Sequence, residues 1–118
     1  MASSIEINGK RILECSGGVF ETLYYTFAEI IEEKLFDTDD SEFAKFISKM
    51  QLCSEARYPF FNVAKFIKSS KSLSILLEIL EEAIKRLQKI LIPATIDDLW
   101  KLYDELAKYK EELEAQGK

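Results

Sequence analysis

The stretch Leu73–Leu91, LSILLEILEEAIKRLQKIL, decides the fold. Leu73, Leu77, Leu80, Ile84, Leu87 and Leu91 recur at alternating spacings of four and three, which lines them up on one face of a helix. A second seam, Leu99, Leu102, Leu106, Tyr109 and Leu113, repeats the rule beyond the connector Ile92-Pro93-Ala94-Thr95. So short a connection predicts an antiparallel helical hairpin at the C-terminal end. Ile75, Ile79, Ala83 and Ile90 add a second apolar strip beside the first seam. A helix apolar on more than one side is either central in a bundle or hands one strip to a partner; on the second reading Ile75 and Ile79 are docking positions.

Outward from this hairpin, the chain reads as one helical domain over residues 1–118. Its 118 residues are 47% hydrophobic, with eight Phe, five Tyr and one Trp, enough for a partly aromatic core. Four Gly and two Pro are too few for a loop-rich sandwich. The expected fold is mainly α, a four- to five-helix bundle carrying a short N-terminal β-hairpin. That hairpin is expected over residues 4–15: Ile5 and Ile7 alternate with polar residues, and Asn8-Gly9 suits a tight turn. Two strands are marginal in water, so their Ile and Leu side chains must lie on the helices or the ribbon must pair with another chain.

Helical spacing places a first helix at 19–36, a second at 41–55, a third from Pro59 to Ile67, a fourth at 73–91 and a fifth at 96–115. Asp39 with Glu42 has the capping-box form, with Ser41 as the rival cap, and Thr95 with Asp98 repeats it for the fifth helix. The polar run 69–72 is either a turn or a kink within one longer helix.

The residue inventory narrows the chemistry. Histidine is absent, which removes the usual base near neutral pH, the common zinc ligand and the imidazole of nucleophile triads. No catalytic residue, metal ligand or cofactor is therefore assigned. Asp37, Asp39, Asp40 and Glu42 form a dense carboxylate group, but a calcium loop begun at Asp37 would put Glu42 where glycine belongs and Ser48 where glutamate belongs. These acids read as a helix cap, and Asp37, Asp39 and Asp40 as a surface for a basic partner. Arg57 and Tyr58, followed by Pro59 and Phe60-Phe61, combine a cationic fork with aromatics, so Arg57, Tyr58 and Phe61 are binding candidates. Glu14, Glu21 and Glu55 are conceivable members of a carboxylate pair without diagnostic spacing.

A net charge of −5 disfavours nonspecific binding to nucleic acid or anionic membrane, although Lys65, Lys68 and Lys71 form a local basic bias. Two isolated cysteines, no leader pattern and no apolar run of spanning length point to a cytoplasmic protein with reduced thiols. The expected function is a non-enzymatic protein–protein interaction module: an acidic inhibitor or immunity-like protein, or a homodimer, without a cofactor. The alternatives are a helix-turn-helix regulator built from the second and third helices, and a small carboxylate-based enzyme.

Overall fold

Gly9 lies in the turn at φ 84°, a left-handed conformation that costs other residues more, while Asn8, expected beside it, lies outside the described residues. The turn joins β1 (Ala2–Ile7) to β2 (Lys10–Ser16) in an antiparallel pair. Their register places Ile5 opposite Leu13 and Glu6 opposite Arg11, so Ile12 is an extra residue and the ribbon bulges there. The computed structural model describes residues 2–7, 9–34, 41–56 and 60–118, and of residues 2, 3, 17, 34, 41, 53–56, 60 and 61 the backbone alone.

Five helices follow among the described residues, and the protein is mainly helical: α1 (Gly17–Lys34), α2 (Ser41–Ala56), α3 (Val63–Phe66), α4 (Ser70–Leu87) and α5 (Pro93–Ala115). Ser16 starts α1 by accepting the Val19 N–H on its Oγ at 3.2 Å, so the Gly17-Gly18 pair opens a helix as well as ending a strand.

The third helix expected from Pro59 to Ile67 is corrected. Phe60–Asn62 is a strand, β3, parallel to β1 with Ile5 opposite Phe61, and the sheet order is β2-β1-β3. Adjacent aromatics suit a strand as well as a helix, and pairing with β1 decides between them. The ribbon thus gains its third strand from its own chain. Only one helical turn, α3, remains, started by Asn62, whose Oδ1 accepts the Ala64 N–H at 3.1 Å.

Between α3 and α4 the chain is extended, which resolves the turn-or-kink alternative in favour of a break. Its backbone groups need partners, and distant side chains supply them. The Ile67 carbonyl accepts the Tyr109 hydroxyl at 2.8 Å, while Glu42 Oε2 accepts the N–H groups of Lys68 and Ser69 at 2.9 and 3.1 Å and the Ser69 hydroxyl at 3.1 Å. Ser69 in turn caps α4, accepting from Ser72 N. Glu42 thus joins α2 to the start of α4, while Asp39, its expected capping-box partner, lies outside the described residues.

Two further boundaries differ from expectation. α4 stops at Leu87 rather than Leu91, closed by turns in which Ile90 N and Leu91 N donate to Leu87 O. α5 starts at Pro93 rather than Ile96; Ile92 precedes it without a side-chain cap, so Thr95 and Asp98 form no capping box. Proline at the first helical position loses no hydrogen bond, because that N–H has no helical acceptor anyway. The hairpin is antiparallel, with Ser70 N at the start of α4 donating to Lys118 O beyond the end of α5 at 2.9 Å.

One continuous core runs through the described elements. α4 packs against α1, α2 and α5, and its Leu73, Leu76, Ile79, Leu80, Ala83 and Ile84 are all buried. Each Leu or Ile so buried contributes roughly 1.5–3 kcal/mol before entropy is counted.

Replacing Glu42 with alanine leaves the N–H groups of Lys68 and Ser69 without their acceptor and should cost about 1–3 kcal/mol in urea unfolding. In a double-mutant cycle, Glu42→Ala and Ser69→Ala should be less than additive; strict additivity would mean the observed clasp does not couple α2 to α4.

Candidate functional site

Pro93 and the turn after Leu87 give the helical hairpin a short tip. Ile90 and Ile92 there are 71% and 67% exposed. The other large exposed apolar side chains among the described residues are Tyr25 on α1 and Leu52 on α2. The seam residues behind the tip, Leu80, Ile84, Leu87 and Leu99, are buried, so the two isoleucines stand on a rigid base. Lys85, Lys89 and Asp97, close to them in the chain, are also exposed.

A second feature lies along the outer side of the same hairpin. Ile75, Leu77 and Tyr103 line a groove of about 530 Å³ whose remaining walls are Lys71, Ser74, Glu78, Glu81 and Lys110. Antiparallel packing brings Lys71 and Lys110 to one end and Glu81 and Tyr103 to the other, so charge divides along its length. Trp100 meets Tyr103 edge-on at 5.6 Å, stiffening the aromatic end.

The proposed second strip of α4 is corrected in part. Ile79 and Ala83 are fully buried within this chain, so Ile79 is a core residue and offers no docking surface. Ile75 is half-buried at the groove, and Ile90 lies beyond the helix end. Leu76, absent from either expected strip, is also buried. Asp37, Asp39, Asp40, Arg57 and Tyr58 lie outside the described residues, and Phe61 is described only as backbone in β3.

The acidic side of α1 is largely engaged. Arg86 of α4 donates to Glu33 at 2.6 Å, Glu29 at 3.0 Å and Glu82 at 3.3 Å, tying α1 to α4. The Glu33 hydrogen bond is the chief cause of an upward shift in the guanidinium pKa. On the opposite flank, Glu105 of α5 receives Lys10 at 3.2 Å and Lys108 at 3.4 Å; the Lys10 bond foremost holds its carboxyl below the usual range. These pairs fasten elements together at the surface, where each is worth little alone.

Catalytic geometry finds little support in the described residues. They contain no group of three or more His, Cys, Asp or Glu able to hold a metal ion. The interior space bounded by Ile5, Leu23, Phe27, Phe46 and Met50 amounts to about 10 Å³, too small for a ligand. Glu14 and Glu21 are exposed on separate elements, and the side chain of Glu55 lies outside the described set. The one-turn α3 is too short to serve as the recognition helix of a helix-turn-helix. No helix described is long and apolar enough to cross a membrane.

No family model matches the chain, and comparison with curated proteins and with solved structures gives no match.

Cys15 carries a free thiol that burial, with a smaller contribution from the Asp98 carboxylate, pushes up from 9.0 to about 11. A thiol held protonated is a poor nucleophile at neutral pH. Because its folded pKa exceeds the unfolded value, its stabilising contribution is complete below about 9.0 and disappears as pH climbs through about 11. Tyr109 acts in the same sense, raised by burial and then by Glu42 and Glu112. Urea unfolding should therefore show stability falling across that alkaline window, and Cys15→Ser should make the fall shallower; an unchanged slope would exclude Cys15 as its source.

Proposed function

We propose that the protein is a non-enzymatic protein–protein interaction module that docks through the tip of the α4–α5 hairpin. One observation carries this reading: Ile90 and Ile92 are exposed two residues apart, on a turn held by buried leucines. Such a tip gains by entering an apolar pocket of a partner, with little ordering cost because its backbone is already fixed. Lys85, Lys89 and Asp97 would form the charged rim that selects the partner. The four- to five-helix bundle and a cytoplasmic setting belong to the same proposal.

The acidic-inhibitor version has less to support it. Glu29 and Glu33 are bound to Arg86, and Glu42 is bound to the backbone ahead of α4. An electrostatic surface there would rest on Glu32 and on acids outside the described residues.

A photo-crosslinking residue placed at Ile92 in source cells should give discrete protein adducts that the same residue at Lys101, another exposed position of the hairpin, does not. Ile90→Ser with Ile92→Ser should weaken binding of the captured protein roughly tenfold or more while leaving the melting temperature nearly unchanged. Equal adduct patterns at the two positions would overturn the assignment of the tip.

A further inference from the structure

The groove along the outer side of the hairpin has an arrangement that the tip does not explain. Lys71 and Lys110 mark one end, Glu81 and Tyr103 the other, with Ile75 and Glu78 between. A surface divided this way meets itself favourably only in one sense. Laid against an identical groove pointing the same way, lysines would face lysines and Glu81 would face Glu81. Turned end for end, every charged end meets its opposite.

We infer that this groove receives the same groove of a second copy, related by a two-fold axis crossing the hairpin midway between Lys71 and Glu81. α4 then runs antiparallel to its counterpart. Lys71 faces Glu81 of the other copy and, by symmetry, Glu81 faces the other Lys71. Lys110, which approaches Glu114 of its own helix at 3.7 Å, comes opposite the other Tyr103, a cation beside an aromatic ring. Ile75, half-buried at the groove, lies close to the axis, where it meets its own equivalent and supplies the apolar contact. Glu81 approaches Lys85 of its own helix at 3.7 Å, an exposed pair that a facing lysine can readily supplement.

The arrangement has a functional consequence. Residue 90 lies fourteen positions beyond the axis along the hairpin, so antiparallel pairing puts the two tips at opposite ends, about 40 Å apart at the helical rise per residue. The dimer would be a bivalent bar, able to hold two partner molecules or two sites of one partner. Self-docking itself is independent of what the tip binds.

Sedimentation velocity of the full chain tests it, with circular dichroism confirming that each variant is folded. The wild type should sediment as a dimer that weakens with added salt. Lys71→Glu and Glu81→Lys should each raise the dimer dissociation constant roughly tenfold or more, since each replaces two attractions with two repulsions. Mixed together, the two variants should recover dimerisation, because Glu at 71 of one then faces Lys at 81 of the other, and Lys71 of the second faces Glu81 of the first. A structural defect in either variant would not be repaired by mixing. A wild type that stays monomeric at about 100 μM, or a mixture that recovers nothing, would overturn the inference. Ile90→Ser with Ile92→Ser should leave the dimer intact, so loss of self-docking and loss of partner docking are read separately.

Discussion

Enclosure of α4 is the constraint on which the rest of the structure depends. Its Leu73, Leu76, Ile79, Leu80, Ala83 and Ile84 are buried, and α1, α2 and α5 are the helices that cover them. A helix apolar over so much of its circumference has no stable position at the surface of an isolated chain. The remaining elements are arranged to close around it. α5 returns along one side through a short connector, and α1 and α2 bring Phe20, Leu23, Phe27, Phe43, Phe46 and Met50 to the same core. The sheet adds Ile5 and Leu13.

Enclosure also requires that the chain enter α4 through an extended segment, in which the Ile67 carbonyl and the Lys68 and Ser69 N–H groups have no helical partners of their own and Ile67 is buried. That need accounts for the long-range polar contacts at residues 67–69. Tyr109 comes from α5 and Glu42 from α2, and each reaches the segment with a hydrogen bond a neighbouring residue could not supply. The same contacts specify where α2 and α5 sit relative to the start of α4. Apolar packing alone is less directional, so these few polar contacts supply the register that leucine seams leave loose.

Much of this was legible in the sequence, for identifiable reasons. The seams of α4 and α5 follow from helical spacing, and the hairpin turn follows from Asn8-Gly9, because both signals are local. Phe60–Asn62 was not legible as a strand: its pairing partner, β1, lies more than fifty residues earlier, and the aromatic pattern fits either state. The partner of Glu42 was hidden for the same reason, since Ser69 is 27 positions away. Of the second strip of α4, Ile79 and Ala83 are enclosed while Ile75 is only half-covered. Spacing reports that a face is apolar but not what covers it, and α1 and α2 also bear on α4. The exposed pair at the tip follows from α4 ending at Leu87, where helical spacing would carry it to Leu91.

Placing both docking features on the α4–α5 hairpin has a physical logic. A binding surface keeps affinity when its residues are held in the bound geometry beforehand, and this hairpin is held by a buried seam on each helix, a proline-started return, and a bond from Ser70 to the chain end at its open side. Side chains projecting outward from such a frame lose only their own rotamer freedom on binding, because the backbone is already ordered. Arg86 extends the frame to α1 through Glu29 and Glu33. The division of labour follows from burial itself: inward faces of the hairpin stabilise the fold, which leaves Ile90, Ile92 and the charge-divided groove as surfaces that can be committed to partners without weakening the core.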